Sequence, residues 1–177
     1  MVAVAGTVDK PRVLDRRRIV IADPELKGSK QPYHAAAELP YPKAEALVRT
    51  AIESSQALAR EAIATAIHSI QASGNTLTRC AILRGAGRAL PSLDRILAAH
   101  PLIHTAEGEM FRDVLVWAAQ QWGLQVTHVK EQELDPDALR RLDSLGKLIG
   151  PPWTQDQKHA TLAALMALHQ PHLPTPP

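Results

Sequence analysis

The chain has 177 residues, 45% of them hydrophobic, which suits one domain with a real core and makes a second full domain unlikely on length alone. Its 20 basic and 18 acidic residues give a formal charge of +2, far from the basic excess of a typical nucleic-acid-binding domain, so bulk charge assigns no partner. The single cysteine, Cys80, excludes an intramolecular disulfide and a thiolate metal cluster, and no stretch approaches the roughly 20 apolar residues that span a bilayer.

In chain order, the opening "MVAVAGTVDKPR" has no basic region ahead of its short apolar run. It does not read as a secretion signal, and a cytoplasmic location without membrane contact is expected. Residues 1–17 read as a flexible basic arm. Lys10, Arg12, Arg16, Arg17 and Arg18 cluster ahead of the first apolar run, placed either to meet phosphates or to form a solvated face. In "RRRIVIADPELKGSKQPYHAA" the β-branched Ile19, Val20 and Ile21 predict a strand that ends on Asp23. "KGSKQP" then supplies a turn and "YHAAAEL" a returning strand, closed by Pro40 and Pro42.

Residues 43–73 form the longest regular element. Val48, Ile52, Ser55, Ala59, Ala62, Ala66 and Ile70 recur at spacings of three and four, the stripe of an amphipathic helix, and its alanines let another layer approach closely. Gly74-Asn75 ends it. Cys80 to Leu83 predicts a short strand, Ser92 caps a short helix, and a longer helix runs from about Thr105 to Gly123. "LQVTHVKE" alternates as a strand. Asp135-Pro136 is a strong helix start, and a last helix opens at Thr154. Residues 170–177 are a proline-rich tail. Strands interleaved with helices in this order predict one α/β domain over residues 18–169, a central sheet flanked by helices that include the long alanine-rich one.

Several ionisable groups fall where a sheet protein can hold chemistry. They are Asp23 after the first strand, Glu107 and Glu109 around Gly108, and Asp156 with His159 three residues on, sharing a helix face. Converging carboxylates would favour Mg2+ or Mn2+, and a pair of such ions about 4 Å apart activates water and stabilises a leaving oxygen. The carboxylates also have plainer readings, Asp23 as a turn residue and Glu107, Glu109 and Asp156 as first-turn carboxylates that complement a helix dipole. His100 and His104 bracket "PLI", but Pro101 between them argues against one shared helical face, so no zinc site is expected. "RGAGR" offers Arg84 and Arg88 to an anion, or is only a tight strand exit, since it lacks the lysine and hydroxyl residue of a phosphate-binding loop. Cys80 reads as a small core residue, Trp117 and Trp122 as core or interface residues, and Trp153 as a staple for the last helix.

"IVIADPELKGSKQPYHAA" and "DQKHATLAALMALH" together resemble the RNase H-like superfamily, in particular the RuvC-type Holliday junction resolvases. In that group a first strand ends in aspartate, often within Asp-Pro-Gly, and the last helix carries an aspartate with an aspartate or histidine three residues on. The resemblance implies catalytic and metal-binding roles for Asp23 and Asp156, with His159 beside them. The chain departs from the pattern in reading Asp-Pro-Glu and in placing Arg84 where the family has a glutamate, a role that would pass to Glu107 or Glu109.

Two functions follow as expectations. The first is a metal-dependent nuclease acting on structured DNA or RNA, with Asp23, Glu107, Glu109, Asp156 and His159 at the centre and Arg16, Arg17, Arg18, Arg84 and Arg88 on the phosphates. The second is a non-catalytic interaction module that keeps the fold and binds a protein partner, or a second copy of itself, through its helices.

Overall fold

The computed structural model describes residues 1–85 and 89–170, and it is a mixed α/β structure with two separate two-stranded sheets. The first sheet is a hairpin of β1 (Val2–Gly6) and β2 (Pro11–Arg16), with a register shift between Ala3 and Val4. The turn depends on Gly6, whose φ of +89° is open to glycine and whose absent Cβ would lie 2.3 Å from the Lys10 carbonyl oxygen. Residues 1–17 are therefore not a flexible arm. Val4 and Val13 of the two strands pack against the core near the C-terminal helix, and this burial fixes the ribbon in place.

The segment after the hairpin departs from expectation. Ile19 to Ile21 form no strand, and "YHAAAEL" is not a returning strand but α1 (Pro32–Ala37). Pro32 sits in the first turn, where its missing N–H costs nothing, and the alanines that follow favour helix over sheet. The long helix does form, as α2 (Tyr41–Ala72), 32 residues that span about 48 Å.

The second sheet pairs β3 (Arg79–Arg84) with β4 (Gln125–Lys130) in parallel, Arg79 opposite Gln125 through Arg84 opposite Lys130. Between them the chain passes through α3 (Leu93–Leu97) and α4 (His100–Gln121). It ends in α5 (Pro136–Arg141), α6 (Asp143–Ile149) and α7 (Gln155–Leu168). Two of these starts follow the sequence signals directly. The Asp135 side chain accepts from the Asp137 N–H, and Thr154 with Gln157 forms a reciprocal capping box.

Alternation along β3 defines two layers. Ala81 and Leu83 join Leu162, Ala163 and Leu165 of α7, whereas Cys80 joins Ile63 of α2 and Val114 of α4. A third cluster packs Tyr33 and Ala36 of α1 against Val48 of α2 and Ile103, Ala106 and Met110 of α4. Leu162 and Leu165 are buried completely or almost so, and truncation of either to alanine would cost about 2–5 kcal/mol. Trp153 belongs to the α7 cluster, donates from Nε1 to the Leu142 carbonyl at 2.9 Å and packs against Gly146.

Arg16 holds the hairpin to the far end of the chain. Its guanidinium donates to the carbonyls of Gly150 at 2.9 Å and of Ile149 and Pro151 at 3.4 Å, and also to that of Pro152. Among the described residues no helix is long and apolar enough to cross a membrane.

Candidate metal centre

The sequence places His100 immediately before a proline, and this position decides the geometry of the site. Pro101 lies in the first turn of α4, where a backbone N–H has no intrahelical partner, so the helix begins at His100 rather than near Thr105. His100, His104 and Glu107 then recur at spacings of four and three along one face. Their Nε2 atoms bring His100 and His104 to 3.0 Å from each other. Packing of α1 against the same end of α4 adds His34. One ligand nitrogen from each of the three histidines lies within 4.8 Å of the other two. Ring centroids are 4.5–5.2 Å apart, and the rings meet edgewise.

Glu107 sets the orientation of His34. It is buried, 8% exposed, and its Oε1 accepts from His34 Nδ1 at 2.9 Å and from the His34 backbone N–H at 3.2 Å. A carboxylate oxygen can only accept, so the hydrogen belongs on Nδ1 and Nε2 keeps the lone pair that a metal takes. Next to His34, burial raises the Tyr33 phenol above its ordinary pKa, and the charges of Asp113 and Glu107 add to the shift. Tyr33 therefore stays a neutral donor at neutral pH. His34 is half-buried and His100 and His104 are exposed, so one side of the cluster is open to solvent.

Two open clefts flank the cluster. One, of about 420 Å³, is lined by His34 with Lys27, Lys30 and Gln31. The other, of about 590 Å³, is lined by His104 with Thr105 and Arg112.

The carboxylates singled out from the sequence do not gather into one ligand set among the described residues, where the three histidines are the only group of that kind. Asp23 anchors a loop. Its carboxylate accepts from the Glu25 N–H and from Ser54 Oγ, both at 2.9 Å, and its carbonyl accepts from Ser29. Glu107 belongs to His34. Glu109 is paired with Arg84 and with Arg112, the latter at 3.0 Å. Asp156 is exposed in the first turn of α7, and His159 contacts Gln155 at 2.6 Å and faces Glu131 at 3.8 Å.

The arginines expected on phosphates are mostly engaged elsewhere. Arg16 is spent on four carbonyls, Arg17 pairs with Asp15 at 2.6 Å, and Arg18 is exposed. Arg84 is held by Glu109 and by Asp113, the latter at 2.6 Å. Burial works against its charge, but the hydrogen bonds and charges of those carboxylates outweigh it and raise its pKa. Arg88 lies outside the described residues.

The donor chemistry decides which ion suits the site. Mg2+ and Mn2+ prefer carboxylate, carbonyl and water oxygens, whereas three imidazoles suit zinc and its neighbours in the transition series. Bonds of about 2.0–2.1 Å in a tetrahedron set ligand nitrogens about 3.3 Å apart, close to the spacing of His100 and His104. Comparisons with family models, with curated proteins and with solved structures find no match to this chain.

Proposed function

We propose that this chain is a cytoplasmic, metal-dependent phosphodiesterase that acts on nucleic acid, with one zinc-class ion held by His34, His100 and His104. The single observation behind the reading is the convergence of three histidine nitrogens within 4.8 Å of one another at a solvent-facing point. Three protein ligands leave a fourth position open, the pattern of catalytic rather than structural zinc. Such an ion lowers the pKa of bound water and polarises a phosphoryl oxygen.

The chain's own residues do the rest. Glu107 fixes the tautomer and the angle of His34. Lys27 and Lys30 line the cleft on one side, so an anionic backbone crossing the site meets positive charge there, while on the other side Arg112 is paired with Glu109. The same reading takes the hairpin, the long helix α2 and the parallel β3–β4 pair as an RNase H-like core in which the ligand set has moved from carboxylates to α1 and α4.

The test starts from chelator-treated protein titrated with Zn2+, Co2+, Mn2+ and Mg2+, followed by cleavage of labelled duplex, single-stranded and branched DNA and RNA. Zinc or cobalt should bind at one equivalent and support cleavage, and His100→Ala and His104→Ala should lose both properties. Asp23→Asn and Asp156→Asn should retain both. Absence of zinc or cobalt binding, or manganese-dependent cleavage lost in the two aspartate variants, would overturn the reading. Absence of both binding and cleavage would favour the interaction module.

A further inference from the structure

A cavity of about 400 Å³ lies in the middle of the molecule, away from the histidines, and its walls have an unusual composition. One side wall is formed by residues 1–4 and the other by residues 76–83, consecutive runs that take in Val2 to Val4 of β1 and Arg79 to Leu83 of β3. Neighbouring residues of a strand point to opposite faces, so a cavity touched by every residue of a run looks onto the edge of that strand. No residue of β2 or β4 lines it. The cavity therefore faces the edges that β1 and β3 turn away from their partners.

Those edges are unpaired. Hydrogen bonds of β1 run to β2 and those of β3 to β4, and none crosses between the two sheets among the described residues. Strands joined in a ladder lie about 4.8 Å apart, whereas nearly all Cα atoms of β1 and β3 stand more than 8 Å from one another. The opening is thus wider than a ladder. Its floor is Ala160, Ala164 and Leu168 of α7, and its roof includes Ile63 and Ala66 of α2 and Leu115 of α4.

Each wall restricts the occupant. Floor and roof are apolar apart from Arg112 of α4, and the small alanines at both leave space for side chains. The two side walls present backbone N–H and C=O groups that must find partners once water is excluded. A lipid tail answers the floor and roof but not the side walls. A helix satisfies its own backbone and would leave both strand edges unpaired. An extended peptide is apolar above and below and offers N–H and C=O on both sides.

We propose that a single extended segment of a partner protein enters this slot as a strand, pairs with β1 on one side and β3 on the other, and joins the two sheets into one five-stranded sheet. Both faces of that segment meet apolar residues, so it is a run of uncharged, largely β-branched residues without the polar alternation of a half-exposed strand. The slot shares Arg112 with one of the flanking clefts but none of the histidines, and it stands whether or not that cluster binds metal.

The test is selection of random octapeptides displayed on phage against the full-length protein, followed by affinity measurement and amide hydrogen exchange with the enriched peptides. Uncharged β-branched peptides should be enriched. Bound peptide should slow exchange at least tenfold at outer-edge amides of both β1 and β3. Ala164→Trp, which fills the floor, should weaken binding at least tenfold, with Ala164→Leu as the milder substitution if the tryptophan variant does not fold. Lack of enrichment, protection of one edge only, or binding unaffected by a folded Ala164 variant would overturn the proposal. So would a cavity that takes decanoate and no peptide.

Discussion

Glu107 Oε1 accepts twice from one residue, from the backbone N–H of His34 at 3.2 Å and from its Nδ1 at 2.9 Å. The pair of bonds fixes both the start of α1 and the orientation of the imidazole, so one buried carboxylate couples local fold to ligand geometry. Glu107→Gln keeps the shape and removes the charge. Zinc affinity, measured by competition with a chromophoric chelator, should fall about 10–100-fold while the fold is kept. Unchanged affinity would reduce Glu107 to a packing residue.

Asp23 should behave in the opposite way. Its carboxylate holds the loop through the Glu25 N–H and Ser54 Oγ. Asp23→Ala should lower stability by about 1–3 kcal/mol in urea unfolding, because a part-buried hydroxyl and an amide lose their acceptor. Ser54→Ala should cost less, about 1 kcal/mol, and neither change should alter zinc affinity.

Cys80 links stability to alkaline pH. Burial pushes its thiol up to about 11 from an ordinary value of 9.0, since the thiolate is poorly solvated in the core. The neutral form is the folded form, so its contribution is fully present below pH 9 and is lost as pH rises through about 11. That loss should amount to the order of 2–3 kcal/mol across the window. A Cys80→Ala variant lacks this component, so the difference between the two urea midpoints at pH 8 and at pH 11 isolates it. Alkylation of the native thiol at pH 8 should be far slower than in urea.

Gly146 is needed for contact rather than for conformation. A Cβ there would sit 2.7 Å from Trp153 Cδ1, against the ring whose Nε1 donates to Leu142. Gly146→Ala should displace the indole and cost about 1–3 kcal/mol despite the better helix propensity of alanine. Calorimetric unfolding of the two proteins measures this, and a stabilised variant would show that Trp153 adapts freely.

Much of this architecture was legible in the residues. The 3.6-residue stripe from Val48 to Ile70, the alternation of "LQVTHVKE", Asp135 before Pro136 and Thr154 at the head of the last helix each declare an element through a local rule, and α2, β4, α5 and α7 form there. Errors arose where two local rules competed. The β-branched Ile19 to Ile21 suggest a strand, but Ile19 and Ile21 find burial at the cavity wall without a ladder, while Val2 and Val4 take the strand under charges that looked like an arm. Pro101 was weighed as a helix breaker when its place in the first turn makes it a helix starter. His34 meets His100 and His104 only through the packing of α1 on α4, a long-range event without local signature. The spacing of four between His100 and His104, read with Pro101 as the start of a helix, was the one signal of the site.

Arg16 sets an order of events in synthesis. Its carbonyl partners, Ile149 to Pro152, stand more than 130 residues later in the chain. The hairpin leaves the ribosome well before α7, so neither this anchor nor the α7 floor beneath Val4 exists while the intervening residues are being made. A contact of such sequence separation forms late and slows the final step of folding. Until then the nascent chain carries an undocked ribbon whose open strand edge is available to any other strand, which makes the interval before α7 appears the most aggregation-exposed stage of its life.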